Sequence, residues 1–515
     1  MILRFCFIVI SLALCLSVPS ESARILAVFP TPSISHQVAF RPLTQELAKR
    51  GHQVTVLTTD PAFKKGQQPA NLTEVDLHDV SYTAWAEHFM KVVNGDSGNS
   101  KNIMLTIFKS LNLVFELQLH MKEVQEVLNS KQQFDLILIE ACVRQALVFS
   151  HVFKAPVIQV SSLGAVPPNY QVLGAPSHPI LYPELTRQRL FDLSIVEKIQ
   201  EIYHDMWIRY LLWSLEDSEN KMLKKVFGPN TPSVSQLYEN VDMLFLNINP
   251  VWDNNRAVPP GVIFMGGIHQ KPHKDIPPSD LKTYLDGSKQ GVIYMSFGTN
   301  VNPSQLPADR IALFNKVFSK LPYDVVWKWD KDSMPGKADN VKIVKWVPQS
   351  DLLRHPKVKL FITQAGLQST DEAISAGMPL IAFPMLGDQW YNAEQYVKHK
   401  IGLKLDIAEI TGELLEQSIK QVIHDKSYRD NIRALHTAMT DQPQSPLDRA
   451  VWWAEYVIRH KGAKHLRSAA ANIPWSEYLM LDVVAVLLSA VVGVLAVVYW
   501  VVRCLFKQTG KVKKA

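Results

Sequence analysis

The residues with the clearest chemical potential lie between Phe361 and Gln389, in the stretch FITQAGLQSTDEAISAGMPLIAFPMLGDQ. An apolar strand ends at Thr363, a glycine-containing turn follows, and a helix is predicted to begin near Ser369. The free N–H groups and the helix dipole at such a start suit phosphate oxygens. Glu372 is expected on the first turn, where its carboxylate would accept hydrogen bonds from two ribose hydroxyls.

A second predicted strand, Leu380–Phe383, ends before Pro384, and Asp388 and Gln389 follow on a loop at the same sheet edge. A carboxylate beside an amide offers acceptors and donors together, which is what the hydroxyl groups of a sugar require. The stretch therefore predicts a site for a ligand that carries phosphate and sugar groups.

The elements that must position these residues alternate between short apolar runs and helical patterns such as Gln37–Arg50. Such alternation indicates parallel sheets covered on both faces. Strands are predicted at Arg24–Phe29, Gln53–Leu57, Phe134–Ile139, Pro156–Val160, Gly291–Met295, Val325–Trp329, Lys342–Val344, Lys359–Ile362, Pro379–Phe383 and Leu403–Leu405. The fold class is therefore α/β, with two doubly wound, Rossmann-like domains that face a cleft, because ligands of such sheets bind at the carboxyl ends of the strands.

The two ends of the chain carry targeting signals. Residues 1–23 hold one cation and then an apolar run, which predicts a signal peptide, with an uncleaved anchor as the alternative. Val483–Val502 contains no charge and predicts a membrane span, with a buried helix as the alternative. The basic residues that follow place the C-terminus in the cytosol and the body in the lumen. Lys511 and Lys513 resemble a dilysine retrieval signal of the endoplasmic reticulum, or else form a generic basic flank.

Composition excludes several classes of protein. A chain of 515 residues suggests two or three domains. The net charge of +6, without basic runs interleaved with aromatics, argues against a nucleic-acid binder. No nicotinamide or ATP-binding glycine motif is found. No metal site is predicted, because no His/Cys cluster occurs and the acids of Asp330-Lys331-Asp332 suit a solvated loop.

Modification sites are few between the two ends of the chain. Cys142 is the only cysteine there, so no internal disulfide is expected. Asn71-Leu72-Thr73 is an acceptable glycosylation sequon, whereas Asn302 is excluded by the following proline.

The stretch from Phe361 to Gln389 resembles the signature of UDP-glycosyltransferases. Trp346–Leu353 resembles the family's uracil-binding motif, and Ser296–Thr299 resembles its first phosphate loop. Pro446–Arg467 resembles the helix that leads back to the membrane. The chain is most similar in layout to the animal membrane-bound branch, with an arthropod-like signature, and the resemblance implies a GT-B arrangement of the two domains.

The resemblance also implies roles for individual residues. Trp346 would stack on uracil beside Gln349, Glu372 would hold the ribose, and Asp388 and Gln389 would read the transferred sugar. The remaining residues expected to bind the UDP-sugar, mainly around its diphosphate, are Ser296, Gly298, Thr299, Thr363, Gln364, Gly366, Gln368 and Ser369. Gln364 stands where many members have histidine, so it adds no positive charge.

On the acceptor side, the resemblance implies that His36 is the catalytic base, in the loop after the first strand. A carboxylate should orient the imidazole. The family usually has aspartate there, whereas this sequence offers Glu140, which is longer by one methylene. The stretch Leu246–Pro250 lacks the basic residue of glucuronosyl-transferring members, which favours UDP-glucose as donor.

These features predict an enzyme that transfers a hexose, with glucose favoured, from a UDP-sugar to a small lipophilic acceptor, without a further cofactor. The alternatives are a carrier for lipophilic molecules and a transferase that makes glycolipids. The acceptor pocket is expected from residues 80–120 and 190–215. The oligomeric state is left open. The predicted division of the chain is 1–23 signal peptide, 24–248 acceptor domain, 249–289 linker, 290–445 UDP-sugar domain, 446–478 returning segment, 479–502 membrane helix and 503–515 cytosolic tail.

Overall fold

The computed structural model describes residues 22–90, 100–299 and 301–512. The predicted signal peptide up to residue 21 and the lysine at 513 lie outside the described residues.

The first domain is built on a seven-stranded parallel sheet in the order β3-β2-β1-β4-β5-β6-β7. Its central strands are continuous aliphatic runs that are buried along almost their whole length, as expected for a sheet with helices on both faces. The strands are β1 Arg24–Phe29, β2 Gln53–Thr58, β3 Leu72–Asp76, β4 Leu136–Glu140, β5 Val157–Ser161, β6 Val241–Leu246 and β7 Val262–Phe264.

Helices cover both faces of this sheet. They are α1 Ile34–Lys49, α2 His78–Trp85, α3 Ser100–Leu119, α4 Lys122–Asn129, α5 Val148–Phe153, α6 Asn169–Val172, α7 Ile195–Phe227 and α8 Val234–Leu237. The longest, α7, begins with a capping box in which the Ser194 hydroxyl accepts from the Glu197 N–H and the Glu197 carboxylate accepts from the Ser194 N–H.

The second domain holds a six-stranded parallel sheet in the order β10-β9-β8-β11-β12-β13. The strands are β8 Val292–Ser296, β9 Asp324–Lys328, β10 Val341–Val344, β11 Val358–Thr363, β12 Leu380–Ala382 and β13 Gly402–Lys404. The helices are α9 Asp280–Gly287, α10 Ala308–Phe318, α11 Gln349–Arg354, α12 Leu367–Ala376, α13 Gln389–Lys398, α14 Gly412–His424 and α15 Lys426–Thr440.

The chain then returns to the first domain. Helix α16, Pro446–His460, buries Ala450, Val451, Ala454 and Val457 in the same cluster as β1 and α1. A short helix α17, Trp475–Tyr478, leads into α18, Leu481–Val512. Leu481–Phe506 is long and apolar enough to cross a membrane, and the stretch is unburied. One helix of this kind is a candidate span by length and composition.

The predicted fold class is confirmed, because both sheets are parallel and covered by helices. Three strands were not predicted, namely β3, β6 and β7. The stretch 249–289 is more than a linker, since it contains β7, which pairs with β6 in the first sheet, and α9 of the second domain. The prolines of this stretch lie outside both elements. They led to the prediction of a linker, so the three-residue strand Val262–Phe264 was missed.

Candidate active site

A histidine–glutamate pair lies at the carboxyl edge of the first sheet. His36 Nδ1 is 2.6 Å from Glu140 Oε1, and the carboxylate is fully buried while the imidazole is partly exposed. The other oxygen, Glu140 Oε2, accepts a 3.0 Å hydrogen bond from the Thr31 N–H. A carboxylate only accepts, so Nδ1 carries the proton and Nε2 is left as the basic nitrogen.

The backbone explains why two residues 104 positions apart meet. Strand β4 ends at Glu140 and pairs with β1, so its last residue reaches the edge where the chain enters α1. The sequence analysis placed His36 in the loop after β1. In the structure it is instead the third residue of α1. The longer glutamate side chain thus spans from the end of β4 to the first turn of α1.

The thiol of Cys142 lies beside this pair. The donor atoms of His36, Glu140 and Cys142 lie within 4.8 Å of one another. Burial raises the pKa of the thiol well above its usual range, with the Glu140 and Asp388 charges adding to the effect. Nδ1 of His36 already bonds the Glu140 carboxylate, so the geometry shows a hydrogen-bonded His36–Glu140 pair with a neutral thiol next to it. Of the acids in Asp330-Lys331-Asp332, which the sequence analysis expected in a solvated loop, Asp330 accepts hydrogen bonds from the N–H and the hydroxyl of Ser304.

Two strand ends of the second sheet face this pair. Ser296 ends β8 and Thr363 ends β11, and the two residues are register partners in adjacent parallel strands. Each hydroxyl accepts a hydrogen bond from the backbone two residues on, from the N–H of Gly298 and of Ala365. Both turns contain a residue with positive φ, so the chain folds sharply and opens backbone N–H groups toward the cleft.

The two turns touch through Gln364. A Cβ added to Gly298 would lie 2.1 Å from Gln364 Nε2, and Gly298 has φ of +76°, so only glycine fits there. The predicted diphosphate residue Gln364 is therefore buried against the first phosphate loop. Its Oε1 has no partner among the described atoms, which leaves an acceptor facing inward. Thr299, by contrast, is exposed beyond this turn.

Helix α12 begins directly above these turns. Gly366 occupies its N-cap and supplies no side-chain cap. The Leu367 N–H bonds the Asp388 carboxylate, so the N–H groups that follow it are those that suit an anion. The helix begins at Leu367, earlier than the predicted Ser369. Glu372 is consequently the sixth helical residue and lies on the second turn, not the first. Gln368 donates to the Ser162 carbonyl of the first domain at 2.9 Å, so its amide bridges the two domains.

A hydrogen-bond network joins α11 to α12. Gln349 Nε2 donates to Ser369 Oγ at 2.9 Å and to Glu372 Oε2 at 2.7 Å, and Gln349 Oε1 accepts from the Tyr294 hydroxyl. Burial raises the pKa of Glu372, and the Gln349 hydrogen bond partly opposes that shift. The network holds the carboxylate at the position expected for ribose recognition.

Trp346 and Lys328 form an aromatic–cation pair at the same edge. The Trp346 side chain is 69% exposed, and Lys328 Nζ lies 4.7 Å from the centre of its ring. Lys328 also donates to the Gly298 carbonyl at 2.8 Å, and burial lowers its pKa. The sequence analysis missed Lys328, because it lies inside a predicted strand. Its position as the last residue of β9, at the edge that carries the motifs, was the available signal.

Asp388 and Gln389 follow β12 at the cleft. The sequence analysis placed Asp388 and Gln389 on a loop. In the structure Asp388 is the N-cap of α13 and Gln389 is its first residue, so both lie at the start of a helix. Asn392 Nδ2 donates to Asp388 Oδ2 at 2.8 Å, and Gln389 Oε1 accepts from the N–H groups of Met385 and Leu386. Burial raises the pKa of Asp388, and the hydrogen bond from Asn392 partly opposes that shift, with a smaller contribution from His36 of the first domain.

Comparisons with known proteins identify this arrangement. The family model described as UDP-glucoronosyl and UDP-glucosyl transferase matches residues 24–515. The chain belongs to this family. It is a UDP-glycosyltransferase, an enzyme that moves a sugar from a UDP-sugar co-substrate to an acceptor.

Curated relatives of this UDP-glycosyltransferase extend over nearly its full length. The ecdysteroid UDP-glucosyltransferase of Lymantria dispar multicapsid nuclear polyhedrosis virus is 37% identical over 490 residues, which are 92% of this chain and 95% of the relative. UDP-glycosyltransferase UGT5 of Dactylopius coccus is 33% identical over 489 residues, which are 94% and 92% of the two chains.

Solved structures support the same fold. The glycotransferase of kitacinnamycin aligns with a TM-score of 0.59 at 18% identity, over 85% of this chain and 99% of that one. The calicheamicin glycosyltransferase CalG4 aligns with a TM-score of 0.56 at 15% identity, over 86% and 98%. The two parallel-sheet domains of this UDP-glycosyltransferase are thus of the GT-B type.

Proposed function

We propose that this UDP-glycosyltransferase is an inverting glucosyltransferase of the endoplasmic reticulum membrane that acts on a hydroxyl group of a small lipophilic acceptor. The observation that carries this proposal is the 2.6 Å contact between His36 Nδ1 and Glu140 Oε1. It supplies an oriented base opposite the strand ends and helix start that suit the UDP-sugar.

The reaction is a single displacement. Nε2 of His36 takes the acceptor's hydroxyl proton while the acceptor oxygen bonds to C1 of the sugar, and the bond from C1 to the UDP oxygen breaks. Attack from the side opposite the leaving group inverts C1. Glu140 stabilises the imidazolium that forms. The negative charge that develops on UDP is met by the N-terminus of α12, by the hydroxyls of Ser296 and Thr363, and by Lys328.

Two observations favour glucose as the transferred sugar. Relatives at 37% and 35% identity carry the name ecdysteroid UDP-glucosyltransferase, which supports a glucosyl donor and a steroid-type acceptor. The stretch Leu246–Pro250 offers no arginine to a sugar carboxylate. Asp388 and Gln389 are then the residues that read the glucose hydroxyls, while Trp346 and Glu372 hold the uridine.

The location follows from the two ends of the chain. The apolar helix that begins at Leu481 would cross the membrane once, and the basic residues after it favour a cytosolic C-terminus. The catalytic body would then be luminal. Asn71, which is exposed at the start of β3, would be available for glycosylation there. Glycosylation is checked by an Asn71→Gln variant, which should lose sensitivity to endoglycosidase in microsomes.

The decisive experiment measures UDP release by the full chain in microsomes. UDP-glucose and UDP-glucuronate are each offered with a panel of phenols and steroid alcohols, and wild type is compared with His36→Ala. Acceptor-dependent release from UDP-glucose is expected for wild type, with a loss of roughly 10²–10⁴-fold in the variant.

His78→Ala is the matched control, because His78 lies on the same domain and is half exposed. It should retain wild-type turnover. Equal activity of wild type and His36→Ala would refute the proposed base. UDP binding without turnover for any donor and acceptor would favour a carrier, and a preference for UDP-glucuronate would refute the proposed sugar.

A further inference from the structure

One face of α7 is apolar and exposed to solvent. We expected residues 190–215 to line an acceptor pocket, yet eight large apolar side chains of this stretch point outward and are 47–73% exposed. We call them the α7 stripe. They are Ile195, Val196, Ile199, Ile202, Tyr203, Met206, Tyr210 and Trp213. At 100° per residue they fall within an arc of about 120° and extend for about 27 Å along the helix axis.

The inward face of the same helix holds both apolar and polar side chains. Its buried residues are Glu201, His204, Ile208, Leu211, Leu212, Leu215, Glu219, Met222 and Leu223. Glu201 and Glu219 are buried and pair with Arg187 at 2.5 Å and with Arg144 at 2.7 Å. His204 is also buried, and burial lowers its pKa to about 4, so it is neutral. The ion pairs and the buried aliphatic side chains together fix this face of the helix on the domain, which leaves the α7 stripe on the outside.

The outward face of α7 continues beyond Trp213, but its side chains there are charged rather than apolar. Asp217, Lys221 and Lys224 occupy the same outward arc one turn after Trp213, and the first two are 76% exposed. Exposure alone therefore does not explain the stripe, because the same surface carries charges where the stripe stops. A contiguous apolar patch of this size marks an interaction surface.

The stripe lies beside the segment that leads to the candidate membrane span. The Arg209 guanidinium, at the margin of the stripe, lies 5.0 Å from the centre of the Trp475 ring. Trp475 begins α17, only six residues before Leu481. The segment before α17 also packs closely on the first domain, since a Cβ added to Gly174 would lie only 2.6 Å from the backbone nitrogen of Ala471. The chain thus enters α18 next to the stripe.

We propose that the α7 stripe rests on the lipid bilayer, in the leaflet that α18 enters, so that the first domain contacts the membrane at two places. The inference rests on the membrane span of the proposed function. Tyr203, Tyr210 and Trp213 are the side chains favoured at a membrane interface, and Arg209 and Lys198 flank them where they meet lipid headgroups.

The test places the photocrosslinking residue benzoylphenylalanine in the full chain, in nanodiscs of phosphatidylcholine with an alkyne tag. It replaces Met206 in the stripe, Lys221 on the same face beyond it, or Val491 in the span. Lipid adducts are expected at 206 and at 491, with about tenfold more adduct at 206 than at 221, because a side chain within the leaflet contacts lipid continuously.

Three results would overturn the inference. Adducts between two copies of the chain at 206 would identify the stripe as a dimer surface. Lipid adducts at 491 without adducts at 206 would leave the stripe in water while the span stands. A lack of adducts at 491 would refute the membrane anchor and this inference together. The triple variant I199S/M206S/Y210S should keep UDP release with a water-soluble phenol, which shows that the chain is folded.

Discussion

The two sides of the cleft are built on different plans. On the donor side, the candidate site residues follow the ends of adjacent strands β9, β8, β11 and β12 and extend onto the start of α12. On the acceptor side, the chemistry rests on two side chains, His36 and Glu140. Groups from several strands and helices would thus share the binding of the donor, whereas the proposed acceptor chemistry depends on one pair of side chains. Substitutions should therefore affect binding on one side and turnover on the other.

The largest effect is expected for Glu140→Gln. An amide cannot stabilise the imidazolium that forms during catalysis, so kcat should fall by roughly 10²–10⁴-fold while KM for UDP-glucose stays within about twofold. Steady-state kinetics with a phenol acceptor measures both. Glu140→Asp is the control, since it keeps the charge and should lose less. A rise in KM without a change in kcat would contradict the assignment of Glu140 to turnover rather than to donor binding.

Trp346→Ala should give the next largest effect, on donor binding. Loss of stacking on a base costs about 1–3 kcal/mol, so KM for UDP-glucose should rise roughly 5–150-fold with kcat nearly unchanged. Trp452→Ala, which also removes an exposed tryptophan, should change neither parameter. A variant with normal KM would show that the exposed ring does not contact uracil.

Lys328→Met tests whether a side-chain charge contributes to binding of the UDP-sugar. Lys328 holds the Gly298 carbonyl and brings a charge to the phosphate loop, so its loss should raise KM for UDP-glucose about tenfold, in the range of a charged hydrogen bond. Lys316→Met, on the exposed face of α10, is the matched control. Unchanged inhibition by UDP in the Lys328 variant would mean that backbone groups alone carry the diphosphate.

The smallest effect concerns the junction of the two sides. Asp371 is buried, Gln270 of the first domain donates to its carbonyl, and burial raises the pKa of the Asp371 carboxyl to about 8. The folded state retains this proton above the pH at which the unfolded state loses it, near 3.9. Stability should therefore fall as pH rises from about 4 to 8.

Asp371→Asn removes this dependence. The variant should melt about 2–4 °C above wild type at pH 8, with the difference shrinking toward pH 4. Differential scanning fluorimetry of the detergent-solubilised chain measures it, and Asp332→Asn, at an exposed site, is the control. A variant that melts lower at every pH would show that the carboxyl is ionised in the folded protein.

The sequence predicted the strands and helices of the donor side better than those of the acceptor side, because the donor signals are local. The stretch from Phe361 to Gln389 holds strand, turn and helix start together, and only the boundaries differ, as for Glu372. Lys328 was missed because its neighbours on the sheet are distant in sequence. The outward direction of the α7 stripe was also missed, since α7 carries apolar side chains on both its buried and its exposed face, and the pattern does not show which of the two is buried. Strand β7 was too short to stand out among prolines.

The chain passes between the two domains twice, once between β7 and α9 and again between α15 and α16. A single tether would leave the second domain free to swivel, but two separated tethers confine it to rotation about the line that joins them. The helix α16 also fastens the first domain to the segment before α18. A rotation of the second domain about these two connections would therefore leave the first domain, with its acceptor side, fixed relative to α18.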